Sequence, residues 1–171
     1  CRQVLKRGPK ILLLLEISEF ALYEIQQELE ALCLKINSNK KFEFLPKIIP
    51  LLGSVQDENR MTDILKTWAP NILYHTAAYK HVSLVEENPF EAVLNNILGT
   101  HACAQAAIDA KVETFVLIST DKAVRPTNIM GATKRFSELV LQSFSAENNS
   151  ENLTRMTMVR FGNVLGSSGS V

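Results

Sequence analysis

Four consecutive residues near the middle of the chain carry groups that can give, take or hold a proton. They are Ser119, Thr120, Asp121 and Lys122, and they follow the apolar run 115–118. A short apolar run predicts a buried strand, and ligands bind at the carboxyl ends of the strands in open α/β sheets. The sequence therefore predicts acid–base chemistry at one edge of a sheet.

Two further residues, Met130 and Lys134, follow at the predicted start of a helix. Side chains four residues apart lie on the same face of a helix. We therefore expect Met130 and Lys134 to face the same cleft beside the strand end.

The elements that must position these residues alternate between strands and helices. Short apolar runs predict the strands, and apolar residues at helical spacing predict the helices between them. Strands that are apolar throughout are typical of parallel sheets with helices on both faces. We predict an α/β fold with a doubly wound, mostly parallel, Rossmann-like sheet, and a flavodoxin-like strand order satisfies the same pattern. The predicted strands are 10–15, 48–52, 72–75, 115–118 and 156–161, and the predicted helices are 22–32, 59–68, 89–110 and a segment from 129.

The composition is that of an ordinary globular domain. The chain has 171 residues, of which 46% are hydrophobic, with 18 basic and 18 acidic side chains. A balanced charge favours a small-molecule partner over nucleic acid, and the length predicts one domain over residues 1–171. No apolar run approaches the roughly 20 residues that a membrane span needs.

The cysteines and histidines indicate neither a disulfide framework nor a metal site. Cys1, Cys33 and Cys103 are an odd set without a close pair, and the three histidines lack metal-site spacing. We expect a reducing, cytoplasmic location and no metal.

Glu16 closes the first apolar run, where a dinucleotide-binding sheet carries an acid that accepts hydrogen bonds from the adenosine ribose. This position favours NAD over NADP, but a solvated acid at a strand end explains Glu16 equally well. The Gly-rich turn that holds the pyrophosphate should lie just ahead of Cys1. We therefore expect a domain fragment that is incomplete at both ends, lacking that turn with its strand and a C-terminal substrate-binding segment.

Five runs of residues, taken together and in order, resemble bacterial UDP-N-acetylglucosamine 4,6-dehydratases of polysaccharide and glycan biosynthesis, in the extended short-chain dehydrogenase/reductase superfamily. Any one run is weak evidence, but five in the family's order are specific. They are His75-Thr-Ala-Ala-Tyr-Lys-His-Val82, Asn95-Asn-Ile-Leu-Gly-Thr100, Ser119-Thr-Asp-Lys-Ala123, Met130-Gly-Ala-Thr-Lys134 and Arg160-Phe-Gly-Asn-Val-Leu-Gly-Ser-Ser-Gly169.

The resemblance implies tightly held NAD, a UDP-sugar substrate and an internal redox cycle. Hydride leaves sugar C4, water is eliminated across C5 and C6, and the same hydride returns to C6. The enzyme would be a lyase that yields a 4-keto-6-deoxy sugar nucleotide. The resemblance also implies a homo-oligomer when the protein is intact, with this domain cytoplasmic even where the protein is anchored at the inner membrane.

Residue roles also follow from the resemblance. Asp121 is expected to protonate the departing C6 hydroxyl, Lys122 to remove the C5 proton, and Thr120 to hydrogen-bond the C4 hydroxyl. Lys134 is expected to hold the nicotinamide ribose. The expected cofactor-lining residues are Val55, Thr76, Ala77 and Ala78, and the expected substrate-side residues are Lys80 near the diphosphate, Asn96 beside the active-site water or backbone, and Asn163 at the sugar nucleotide.

Met130 occupies the position at which the wider superfamily has the tyrosine of its Tyr-x-x-x-Lys motif. A thioether cannot accept a proton at neutral pH, so Thr120 with Asp121, or a water, must assist the first oxidation. Larger, membrane-associated 4,6-dehydratases are similar in carrying methionine here. This resemblance favours retention of configuration at C5.

Two alternatives stay open on the sequence. A nucleotide-sugar 4-epimerase needs the C4 ketone but not the elimination, and the Asp121–Lys122 pair argues for dehydration. A catalytically inactive NAD or sugar-nucleotide binding module is suggested by Met130 and by the missing Gly-rich turn, and the fragment alone is expected to be inactive.

Overall fold

The computed structural model describes residues 1–37, 45–146 and 154–164. Contacts between residues divide the chain into two units, 1–54 and 55–171, which are described in turn. Residues 38–44, 147–153 and 165–171 lie outside the described residues, and the last of these ranges includes the glycine-containing end of the fifth run.

The first unit is a two-stranded parallel sheet that packs against one long helix. Strand β1 pairs with β2 in register, so that Leu14 lies opposite Pro50. Helix α2 begins after Ser18, whose hydroxyl accepts the Ala21 N–H at 3.3 Å. The elements are α1 (Arg2–Leu5), β1 (Ile11–Glu16), α2 (Glu19–Asn37) and β2 (Lys47–Leu52).

The core of this unit forms between the helices and β1. Its buried members are Leu5 of α1, Leu14 of β1, and Leu22, Leu29 and Cys33 of α2. A strand that is apolar throughout is typical of a sheet with helices on both faces, but within this unit only Leu14 of β1 is buried. The reason is that α2 is the long helix that packs against these two strands here.

The second unit is a three-stranded parallel sheet in the order β3-β4-β5. Its strands match the predicted apolar runs to within two residues at each end. The elements are α3 (Glu58–Trp68), β3 (Ile72–His75), α4 (Val82–Glu87), α5 (Pro89–Ala92), a π-helical segment (Val93–Leu98), α6 (Gly99–Asp109), β4 (Thr114–Thr120), a 3₁₀ turn (Asp121–Ala123), α7 (Ile129–Ala146) and β5 (Arg155–Phe161).

Alternation along β4 decides which side chains meet the helices. Phe115, Leu117 and Ser119 are buried, whereas the residues between them are half-buried. Ser119 bonds to α7 through Glu138, and His75, which shares this face in the register, bonds to α6 through Thr100. Both helices therefore cover the same face, and all three strands end at the same edge because they are parallel.

The helical stretch from 89 to 109 differs from the continuous helix that the sequence predicted. Pro89 begins it, as predicted. Asn88 precedes it at the N-cap position, but its side chain makes no capping hydrogen bond, and its Nδ2 donates to the Leu84 carbonyl at 2.9 Å. Asn88 ends the preceding helix α4, which sequence patterning missed. The segment Val93–Leu98 is π-helical, and such segments often occur at functional sites.

Among the residues that the structure describes, no helix is long and apolar enough to cross a membrane.

Candidate active site

The end of β4 places a hydroxyl, a carboxylate and an ammonium in direct contact. The Thr120 hydroxyl donates to Asp121 Oδ1 at 2.9 Å, and the same oxygen lies 3.4 Å from Lys122 Nζ. Thr120 also begins the 3₁₀ turn, accepting the Lys122 N–H at 3.4 Å. Three of the residues predicted to act in catalysis therefore share one turn.

The charge on this turn is set by its own hydrogen bonds. The Thr120 hydroxyl, together with the Lys122 ammonium and N–H, lowers the pKa of Asp121 below its ordinary value. The Asp121 side chain is exposed and the Lys122 side chain is half-exposed. Asp121 is thus a carboxylate in the free chain, ready to accept a proton before it can donate one.

The end of β5 meets the same turn. Lys122 Nζ donates to Asn163 Oδ1 at 3.1 Å, so Asn163 lies beside the predicted base. The neighbouring Gly162 also approaches closely, since a Cβ placed there would lie 3.3 Å from Asp121 Oδ2. The strand ends of β4 and β5 thus form one continuous polar site.

A buried glutamate, which the sequence patterns did not single out, joins these two strands to α7. The side chain of Glu138 has no exposed surface, and it accepts hydrogen bonds from Ser119 at 2.7 Å and from Arg160 at 2.7 and 2.6 Å. Arg135 donates a fourth hydrogen bond, at 2.9 Å. Burial alone would raise the pKa of Glu138, but the bonds from Arg160, Ser119 and Arg135 outweigh it and lower the pKa to about 2.

One signal in the sequence could have revealed Glu138. It follows Lys134 by four residues and precedes Leu141 by three, which places it on the buried face of α7. A carboxylate on a buried helical face requires partners. Arg160 is the partner that the sequence could not identify, because it lies on another element.

Lys134 is buried, with 5% of its surface exposed. Burial lowers its pKa to about 8, and the nearby charge of Glu138 opposes this shift. Within residues 1–37, 45–146 and 154–164, its ammonium makes no hydrogen bond or close ion pair. Because a buried ammonium without a partner is costly, Lys134 is a candidate to bind a ligand.

Asn96 in the π-helical segment holds the backbone after β3. The side chain is fully buried, its Oδ1 accepts the Tyr79 N–H at 2.8 Å, and its Nδ2 donates to the Tyr79 carbonyl at 3.0 Å. The same Nδ2 also donates to the Thr133 hydroxyl at 3.0 Å. Asn96 therefore fixes both the strand-end loop that carries Lys80 and the first turns of α7.

His75, the last residue of β3, is buried on the helix face. Its Nε2 lies 2.9 Å from the Thr100 hydroxyl, which in turn donates to the Asn96 carbonyl. Burial, helped by the charge of Lys134, lowers the pKa of His75 to about 3. His75 is therefore a neutral structural residue at neutral pH, located beneath the site.

The remaining predicted residues lie at several places. Thr76 and Lys80 are exposed in the loop after β3, with Ala77 and Ala78 half-buried between them. Val55 is half-buried and packs close to Gly99. Met130 is buried in an apolar cluster with Val85 and Ala92, which suits packing.

Glu16 belongs to the first unit, at the end of β1. Its Oε1 accepts the N–H groups of Ile17 and Ser18 at 2.9 and 3.0 Å, so one carboxylate oxygen is used in the turn before α2.

Parallel strands that end in polar residues beneath covering helices define a Rossmann-type α/β fold. The solved structure of Pen from Bacillus thuringiensis has the same fold, with a TM-score of 0.83 and 36% identity, over 99% of this chain and 47% of that chain. The family described as "Polysaccharide biosynthesis protein" matches residues 1–171, and the chain belongs to this family.

Curated relatives include proteins of more than one activity. The chain is 47% identical to the capsular polysaccharide biosynthesis protein CapD of Staphylococcus aureus, over all of this chain and 26% of that protein. It is 38% identical to a UDP-N-acetylglucosamine 4,6-dehydratase (inverting) of Campylobacter jejuni, over 70% of this chain and 35% of the relative. A UDP-glucose 4-epimerase of Rickettsia bellii is 34% identical, over 91% of this chain and 46% of the relative. The chain thus spans between a quarter and a half of the length of these relatives.

Proposed function

We propose that this chain carries the acid–base site of a nucleotide-sugar 4,6-dehydratase, a lyase that converts UDP-N-acetylglucosamine to a UDP-4-keto-6-deoxy sugar for surface polysaccharide or glycan biosynthesis. The observation that carries the proposal is the contact of Asp121 with Lys122, 3.4 Å apart at the end of a buried strand. Elimination of water needs an acid and a base side by side, whereas oxidation at C4 alone does not. The family membership and the dehydratase relative support the same activity.

The proposed cofactor is NAD, which when bound supplies the chemistry of removing a hydride from C4 of the sugar and returning it at C6. The buried ammonium of Lys134 fits such a group, because the described residues give it no hydrogen-bonding partner and ribose hydroxyls would. We propose that the other residues that contact the cofactor are Glu16, Val55, Thr76, Ala77 and Ala78.

The first proton to leave the sugar is that of the C4 hydroxyl. Met130 cannot accept it, but the Thr120 hydroxyl can pass a proton to the Asp121 carboxylate, to which it already donates at 2.9 Å. The lowered pKa of Asp121 ensures that the acceptor is ionised at neutral pH. In this proposal Thr120 contacts the C4 hydroxyl and Asp121 stores its proton.

The elimination then uses the stored proton. Lys122 removes the proton on C5, which the C4 ketone has made acidic, and Asp121 delivers its proton to the departing C6 hydroxyl, which leaves as water. The half-exposed Lys122 would release one proton to the solvent before it takes the C5 proton. After hydride returns to C6, Lys122 gives the C5 proton back to C5 and takes up one proton from the solvent, so both residues end as they began.

The substrate contacts are proposed from position. Asn96 holds the backbone of Tyr79, and Lys80 is the next residue. The ammonium of Lys80 would reach the diphosphate. Asn163 lies 3.1 Å from Lys122 Nζ and would orient both this lysine and the sugar nucleotide. Resemblance favours retention at C5, whereas the Campylobacter jejuni relative is named as inverting.

A second candidate is a nucleotide-sugar 4-epimerase, because a relative with this name is 34% identical over 161 residues. An epimerase would use the same cofactor and the same C4 oxidation. It would return the hydride to C4 and would have no use for an acid–base pair directed at C5 and C6.

The protein expressed from its full open reading frame should convert UDP-N-acetylglucosamine to a product lighter by one water, without added oxidant, as measured by mass spectrometry. The double variant D121N/K122M should lose this conversion while C4 oxidation continues in part, seen as reduced-nicotinamide absorbance in a single turnover. NMR of the product gives the C5 configuration. A wild-type product of unchanged mass would contradict the dehydratase.

A further inference from the structure

The end of β4 and the end of β5 are joined at one cross-strand pair. Ser119 and Arg160 are neighbours in the register of these two parallel strands. Both donate hydrogen bonds to one carboxylate, that of Glu138 in α7. One buried side chain thus bonds to both strands and to the helix at a single level of the sheet.

This level lies immediately before the reactive segment of each strand. Asp121 and Lys122 follow Ser119 by two and three residues, and Asn163 follows Arg160 by three. The two strands end at Thr120 and Phe161, so positions 121 and 162 are the first residues after each strand. These are the positions at which the Gly162 backbone approaches the Asp121 carboxylate.

The hydrogen bonds that Glu138 accepts are strong because its carboxylate is charged. Arg160 donates through Nε and Nη2 to the two oxygens of Glu138, which fixes the orientation of both groups. The Ser119 hydroxyl donates to Oε1 at 2.7 Å, the oxygen that also accepts from Arg160 Nε. The carboxylate has no exposed surface, so water does not compete for these bonds.

We propose that Glu138 is the positioning residue of the Asp121–Lys122 pair. By holding Ser119 and Arg160 together it fixes the separation of the two strand ends, and hence the contact of Lys122 with Asn163. This inference rests on the proposed elimination, since it assigns to Glu138 the alignment of the groups that perform it.

Two single substitutions separate positioning from simple stabilisation. Ser119→Ala removes one donor from Glu138 and with it the bond to β4. Arg135→Ala also removes one donor from Glu138, but Arg135 is on the same helix, three residues away, and bonds to neither strand. If Glu138 acted only through stability, the two variants would behave alike.

The experiment measures two rates in the protein expressed from its full open reading frame, with UDP-N-acetylglucosamine as substrate. The rate of water loss is followed by mass spectrometry, and C4 oxidation by single-turnover absorbance of the reduced nicotinamide. Both are measured at a temperature at which each variant is folded, as shown by its thermal melt.

In Ser119→Ala, the ratio of water loss to C4 oxidation should fall at least about tenfold, because displacing a reactive group by ~1 Å can cost about 10²-fold in rate. KM should change little, and Arg135→Ala should keep the wild-type ratio. Equal ratios in the two variants, or an unchanged ratio in Ser119→Ala, would overturn the role of Glu138. A wild-type protein that loses no water would instead overturn the proposed function, and this inference with it.

Discussion

Gly131 in the first turn of α7 lies directly against the carbonyl group of Lys122. A Cβ built on Gly131 would lie 2.4 Å from that carbonyl oxygen and 3.1 Å from its carbon. The neighbour is backbone and cannot rotate aside. The helix that carries Lys134 and Glu138 can therefore approach the Asp121–Lys122 turn only because residue 131 has no side chain.

Gly131→Ala should displace this turn and destabilise the chain. Alanine in a helix normally gains up to about 1 kcal/mol over glycine, but the overpacking here should cost about 1–3 kcal/mol and dominate. The measurement is the free energy of unfolding in urea.

Gly99→Ala is the matched control for Gly131→Ala, because Gly99 is also helical. A Cβ there would meet a side-chain methyl of Val55 at 2.9 Å, which can move. We expect a smaller loss at Gly99. A Gly131→Ala variant as stable as wild type would show that the close approach is not required.

Asn96→Leu should release the loop after β3. The substitution leaves both polar groups of the Tyr79 backbone without their side-chain partners, at a cost of about 1–3 kcal/mol each. The loop contains Lys80, so limited trypsin digestion after this residue should speed up. The adjacent Asn95→Leu changes the same residue type in a half-buried position and should leave the rate of cleavage near that of wild type.

Lys134→Met should stabilise the free chain at pH 7. A lysine whose folded pKa is about 8, below the ordinary 10.5, binds its proton more weakly when folded, so the charged form opposes folding. Stability of the wild type should rise between pH 8 and pH 10.5, and the gain from Lys134→Met, up to about 3 kcal/mol at pH 7, should shrink over that range.

The control for Lys134→Met is Lys66→Met on the exposed face of α3. Urea unfolding at pH 7 and pH 9.5 should leave Lys66→Met near wild type at both values. A loss of stability in Lys134→Met at pH 7 would mean that the ammonium has partners that outweigh its burial.

His75→Gln should make the stability of the folded chain less sensitive to acid. The folded pKa of His75 is about 3 and the ordinary value is 6.5, so the unfolded chain binds the extra proton between these values and stability falls as the pH drops below 6.5. Between pH 6.5 and pH 5 the wild type should lose up to about 2 kcal/mol through this residue.

Glutamine can still donate to Thr100 but does not titrate, so the slope of stability against pH should flatten in His75→Gln. The exposed His81→Gln should keep the wild-type slope. If stability depended on pH with the same slope in wild type, His75→Gln and His81→Gln, His75 would not be the cause of the loss of stability in acid.

The sequence predicted the strands and the edge of the sheet well, for a local reason. Apolar runs such as 115–118 must be buried, and the polar residues that follow them must lie at strand ends. Asp121 and Lys122 could be expected to lie close together because they are adjacent in the sequence. The Rossmann-type fold is confirmed by its solved structural relatives.

What the sequence could not predict depends on partners far away along the chain. Glu138 meets Arg160 across 22 residues, and Asn96 meets Tyr79 across 17, and neither pair has a spacing that identifies it. Asn96 lies in the π-helical segment Val93–Leu98, and the residue types in this segment did not predict a π-helix. The roles of the site residues stay predictions, to be tested by the variants above.

The fate of the C4 hydrogen tests the central proposal most directly. UDP-N-acetylglucosamine deuterated at C4 would be converted by the protein from its full open reading frame, and the product analysed by NMR and mass spectrometry. We predict a product that has lost one water and carries the deuterium on C6. Deuterium retained on C4, with inverted configuration and no loss of water, would identify an epimerase and contradict the dehydratase.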